Sequence, residues 1–149
     1  MNMMTPSVLS RADLLSILTH APADPVKSFA ETLLDQVGAV TVLRNRTALV
    51  MLPFTDTASG TRFHLGEVLV AEAHLQINLY DTPHEGYAAV TGRDLVQAVG
   101  IALIDAAYSA GIAVEAITVF AAAQAAEQAA SDDVLLRQVE ATRIEMETF

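Results

Sequence analysis

Residues 95–110, LVQAVGIALIDAAYSA, constrain this chain more than any other stretch. The run has the length of a helix, yet it is apolar on nearly every side and holds one carboxylate, Asp105, deep inside. It is too short to span a bilayer, and Gln97 and Asp105 interrupt it. Two roles remain for such a helix. It is the centre of a core built by this chain, or part of its surface waits for another chain. An ionised carboxylate in that setting must be paired, or must face an opening or a partner.

The rest of the chain has to wrap such a helix. Ser10-Arg11-Ala12-Asp13 has the form of a capping box, opening a short helix with Leu14, Ile17 and Leu18 on one face. Pro22 ends it. Asp24-Pro25 reads as N-cap and N1 of a second helix, in which Val26, Phe29, Ala30, Leu33, Leu34 and Val37 recur at helical spacing up to Gly38. The period then changes. AVTVLR and TALVML read as two strands joined by a tight turn at Arg44-Asn45-Arg46, followed by a polar loop over 55–62. From Leu69 to Tyr80 apolar and polar residues alternate, so Glu72, His74, Gln76 and Asn78 share a wet face. DTPHE turns the chain into a fourth strand, GYAAVTG. After the apolar helix, IAVEAITVF reads as a strand, with a helix as the alternative. An alanine-rich helix is expected over 121–141 with a break at Ser131-Asp132-Asp133, and TRIEMETF reads as a last edge strand. The expected fold is α+β: an antiparallel sheet of about four to six strands packed against helices on one side, in a single domain over 1–149.

Composition removes several function classes. The net charge is −10, with one lysine and seven arginines, so the surface repels phosphate backbones and anionic lipid. Neither nucleic acid nor membrane is expected as a partner. Without cysteine, disulfides, thiolate metal sites, iron–sulfur ligation by this chain and cysteine nucleophiles are all excluded. The first ten residues lack a basic segment followed by an apolar one, so no signal peptide is read there and the expected location is the cytoplasm.

No phosphate-binding glycine loop, dinucleotide fingerprint, nucleophile elbow or zinc-helix motif is present. His64, His74 and His84 recur every ten residues, a spacing that does not by itself make them converge, and no metal is expected. His84-Glu85 could form an acid/base pair, although Pro83 and Gly86 explain the same residues as turn chemistry. Gly92-Arg93-Asp94, at the entry of the apolar helix, is more specific. Asp94 can cap the helix, and Gly92 can supply a positive φ between strand and helix. Arg93 opposes the helix dipole unless it answers a carboxylate or an anion, which leaves a structural ion pair and a ligand or subunit contact both open. For Asp105 the alternatives are an internal hydrogen-bonded partner and a catalytic role.

RFHLGEVLV, GYAAVTGRD, ALIDAAY and EATRIEMETF, in this order and spacing, resemble PhnG, the G subunit of the bacterial carbon–phosphorus lyase system. Leu65-Gly66-Glu67, Gly92-Arg93-Asp94 and the segment around Asp105 are the most specific parts, and the resemblance runs from about Arg11 to Phe149. It implies a non-catalytic or co-catalytic subunit, with no catalytic residue assigned to this chain, in a core with the H, I and J subunits, the I subunit being the direct neighbour. The L subunit is a functional partner. With the I, H and L subunits it would support formation of α-D-ribose 1-methylphosphonate 5-triphosphate from ATP and methylphosphonate with release of adenine, a transferase reaction. ATP is then a substrate of the complex, and this chain binds no cofactor itself. Gly92, Arg93, Asp94, Glu67 and Asp105 become the candidate substrate or subunit contacts. The chain departs from the family at Ala71-Glu72, where a Thr-Arg pair is usual, and at Pro53-Phe54-Thr55, where arginines are usual. The competing readings are a stand-alone acid/base enzyme built on His84, Glu85, Asp94 or Asp105, and a homo-oligomeric binding module pairing through an exposed strand.

Overall fold

The computed structural model describes residues 9–143. Two helices come first, α1 (Arg11–His20) and α2 (Ala23–Leu33). Three strands follow, β1 (Ala39–Thr55), β2 (Arg62–Leu79) and β3 (Thr82–Thr91). The chain closes with α3 (Leu95–Ser109) and α4 (Val114–Ala141). The strands form an antiparallel meander in the order β1-β2-β3, with the helices on one face. The class is the α+β one read from the sequence, with three strands among the described residues instead of four to six.

The lower strand count has a specific cause. Arg44-Asn45-Arg46 is not a turn: Asn45 pairs with Ala73 and Arg46 with Glu72, so both expected strands are one 17-residue strand carrying a bulge at Leu43. The polar loop does the turning. Asp56 accepts the Ala58 and Ser59 amides through its carboxylate and the Gly60 amide through its carbonyl, an arrangement that tightens the reversal. Between β2 and β3 the reversal is a two-residue one at Tyr80 and Asp81, both with positive φ, as the right-handed twist of a hairpin favours. The expected fourth strand is therefore the third.

The alternation on β2 falls as expected. Ala71, Ala73, Leu75 and Ile77 are buried against the helices, joined by Ala88 and Val90 of β3. The segment IAVEAITVF is helical, not extended. It begins α4, which continues without a break through Ser131-Asp132-Asp133. Ile117 and Ala121 of α4 are fully buried, and Phe120 stacks on Phe29 with ring centroids 4.2 Å apart, so tertiary packing overrides the β-branched local preference. The expected last strand lies mostly outside the described residues, and Arg143 is not in a strand.

α3 lies between the sheet and the other helices, which is why it has almost no polar face. Small residues make that position possible. Gly100 of α3 meets Ala30 and Val26 of α2, while Gly86 of β3 lies against the backbone of α3 at Ala102 and Ala106. Most of its apolar surface is used within this chain, while Val96 near its start is 63% exposed. No helix among the described residues is long and apolar enough to cross a membrane.

Candidate functional site

The Gly-Arg-Asp entry is built as the sequence suggests, with one addition. Gly92 adopts φ +108° and donates its amide to Leu69 O at 2.9 Å. Asp94 caps α3 by accepting the Gln97 amide at 2.9 Å. Its other carboxylate oxygen accepts from Lys27 Nζ of α2 at 2.6 Å, a contact no local pattern announces. Lys27, and next the Gln97 amide, hold the Asp94 carboxyl below its usual range. Arg93 is exposed and makes no ion pair among the described residues, so the internal salt bridge considered for it is not formed there.

The Lys27–Asp94 contact predicts a pH effect. A carboxyl depressed in the folded state contributes stability that is complete above the unfolded value of about 4 and is lost as the pH falls through the lower folded value. Lys27→Met should therefore make the fall in thermal midpoint between pH 5 and pH 3 shallower than in the parent. Parallel melts across that range test it, and identical slopes would show that the pair contributes nothing.

Asp105 is fully buried and internally answered. Arg11 Nε and Nη2 each donate to its carboxylate at 2.7 Å, a bidentate ion pair, and the Tyr87 amide of β3 donates to it at 2.9 Å. This pairing raises the Arg11 pKa, chiefly through the hydrogen bond to Asp105. The three hydrogen bonds it accepts hold α1, α3 and β3 together, a structural arrangement.

A second polar group lies on the sheet face away from the helices. Glu72 accepts from Arg46 Nε at 2.9 Å, more weakly from Arg44 at 3.4 Å, and from Tyr87 Oη at 3.2 Å. Arg46 is the main cause of a lowered Glu72 pKa, while burial and the Glu72 charge raise that of Tyr87. His74 pairs with Glu85 at 3.0 Å. His84 and Glu85, neighbours on β3, alternate onto opposite faces and form no acid/base pair. No three histidine or carboxylate groups converge among the described residues, so the ten-residue spacing does not become a cluster.

Sequence reasoning missed one exposed apolar feature. β3 ends at Thr91, opposite Val70, so the β1–β2 pair continues beyond it as a two-stranded arm. Seven further residues of β1 at about 3.4 Å each carry it roughly 24 Å from the body. Leu49, Val50, Met51 and Leu52 of β1 are exposed along it, with Phe63 and Leu65 of β2, and Leu49 is 62% accessible. Near the tip Phe54 meets Phe63 at 5.4 Å, beside a cavity of about 550 Å³ lined by Pro53, Thr55, Arg62 and His64. Glu67 is exposed on this arm. The signal was present as an apolar run on both sides of a polar turn, but the assumed break at Arg44-Asn45-Arg46 hid its length.

Residues 9–149 match the family model of phosphonate metabolism protein PhnG. The chain belongs to the PhnG family. Comparison with individually curated proteins gives no match. Membership over nearly the whole chain gives the protein a role in phosphonate metabolism. In this PhnG-family fold the motif residues lie at different kinds of place. Gly92, Arg93 and Asp94 sit at the root of the arm, Glu67 lies along it, and Asp105 is in the core. Glu72 is answered by two arginines of β1, so its charge is accommodated locally.

Proposed function

We propose that this protein is a subunit, without catalytic residues of its own, of the carbon–phosphorus lyase core in organic phosphonate catabolism. Within a core that also holds the J subunit, it supports, with the I, H and L subunits, formation of α-D-ribose 1-methylphosphonate 5-triphosphate from ATP and methylphosphonate with release of adenine. The supporting observation is the family match over residues 9–149 in a chain that leaves an apolar arm uncovered. An exposed apolar surface of that kind marks a protein partner more than a small-molecule site. The buried carboxylate is spent on structure, and His84 and Glu85 diverge, so those two do not form the acid/base pair of the alternative reading. In this reading ATP is bound by the complex and the chain itself carries no cofactor, in the cytoplasm.

The test is adenine release from ATP and methylphosphonate by the co-expressed subunits with and without this chain. Omission should abolish turnover, and the chain alone should release none. Arg93→Ala adds a sharper arm. Replacing an exposed residue that makes no ion pair among the described residues should change stability by no more than about 0.5 kcal/mol, leaving the melting midpoint nearly unchanged. Assembly or turnover should still fall, through loss of a charge-assisted contact of about 1.5–3 kcal/mol. Unchanged assembly and turnover would remove Arg93 from the contact surface.

A further inference from the structure

Two projections leave the body at the same end. The first is the arm of β1 and β2, which begins where β3 stops at Thr91 and α3 is about to start. The second is the far half of α4. α1 runs antiparallel to α3, since Tyr108 bonds the Leu9 carbonyl, Arg11 pairs with Asp105 and Gln97 bonds the Ala21 carbonyl. α4 runs beside α1 in the same direction: Gln128 Nε2 donates to Ile17 O, and Ser131 and Asp132 share a cavity with His20. It therefore passes the end of α1 near the start of α3 and continues for another turn or more, to Ala141, roughly 14 Å beyond Asp132. From Ser131 to Arg143 every residue is exposed.

On each projection an apolar row continues a row that is buried in the body. Ile117, Ala121 and Gln124 of α4 are buried, and the same helical spacing leads through Gln128 to Leu135 and Val139, 58% and 59% exposed. On β2 the buried row of Ala73 and Ala71 leads to Leu69 and Glu67, with Leu49 and Met51 opposite them on β1. Both rows lie on the helix side of the sheet and so border one gap, with Val96 exposed at its base. Two carboxylates edge this gap, Glu67 on the arm and Asp132 on α4. Neither makes an ion pair among the described residues.

We infer that one segment of a different protein chain, apolar on its contact face and basic at its margins, fills this gap and touches both projections at once. Charge selects that occupant over a second copy. The elements a second copy could insert are its own arm and its own α4 end. They bring Glu67 and Asp132 again, on a chain with the same net charge of −10. Basic side chains at the margins of the segment answer both carboxylates.

The inference rests on the assembly reading above and is tested so that the two fail separately. The chain has no cysteine, so Met51→Cys and Val139→Cys each introduce a single thiol at an exposed position. A photo-crosslinker attached to that thiol is activated in the purified complex with co-expressed H, I and J subunits. Both positions should capture the same partner subunit. Capture of two different subunits, from one projection alone or from neither, overturns the shared gap and leaves the assembly reading standing. Capture of a second copy of this chain replaces the partner by that copy. A crosslink within the chain gives the gap to the chain's own ends. Glu67→Lys and Asp132→Lys, both at exposed positions, should keep the parental melting midpoint and weaken binding of the captured subunit about tenfold at low salt. Unchanged binding in both variants overturns the basic margins. No complex at all with the parent chain overturns the assembly reading itself.

Discussion

Arg11→Met should destabilise the protein by about 3 kcal/mol. Asp105 is fully buried, and removing Arg11, its cationic partner among the described residues, leaves the carboxylate with the Tyr87 amide alone, a change that costs about 3–5 kcal/mol in comparable buried pairs. The lower end applies because the Arg11 side chain is 55% accessible, so water already weakens its side of the pair. For a chain of this length that corresponds to a fall in melting midpoint of roughly 6–12 °C. The double change Arg11→Met with Asp105→Leu should recover part of the loss, because no charge is then buried. Recovery stays incomplete because the Tyr87 amide keeps no acceptor, at about 1–3 kcal/mol. Thermal unfolding of the three proteins by circular dichroism measures this. A single variant within 2 °C of the parent would show that the carboxylate does not depend on Arg11.

Gly86→Ala should be worse. A Cβ built there falls 1.9 Å from the Ala102 carbonyl oxygen and 2.8 Å from the Ala106 amide nitrogen. Both are backbone atoms, so no rotamer change relieves the contact and α3 itself has to move. Overpacking of a core usually costs about 1–3 kcal/mol, and displacement of the central helix puts this case above ~3 kcal/mol. Soluble yield and the urea midpoint should both drop sharply. Gly66→Ala is the control, since nothing lies within 4 Å of a Cβ at that position on the arm. A Gly86→Ala protein with the parental urea midpoint would show that α3 and β3 do not approach as closely as described.

Local pattern and long-range packing divide what could be read from the sequence. Ser10 does cap α1 through the Asp13 amide, Asp94 does cap α3, and Gly92 does take a positive φ, because each depends on residues within three or four positions. The alternation of β2 was legible for the same reason. Gly86 read as a turn residue because its true constraint is a helix sixteen residues away in sequence. The Arg11–Asp105 and Lys27–Asp94 pairs join residues 94 and 67 positions apart, beyond any spacing rule. α4 was misread over 112–120 because Ile117 and Phe120 serve a helical face that only the fold defines. For the candidate site, the motif residues were legible as anomalies, while the arm that carries the exposed apolar surface was not.

The central position of α3 also sets an order of assembly. Arg11 pairs with Asp105, the Leu9 carbonyl accepts from Tyr108 Oη, and the Ala21 carbonyl accepts from Gln97 Nε2. The sheet, by contrast, is a meander whose neighbours in space are neighbours in sequence. Its pairings close short loops, whereas α1 and α2 reach their main partner only across some seventy or more residues, with the entropic cost of closing that loop. During synthesis from the N-terminus, the first two helices therefore emerge well before the surface they bury exists.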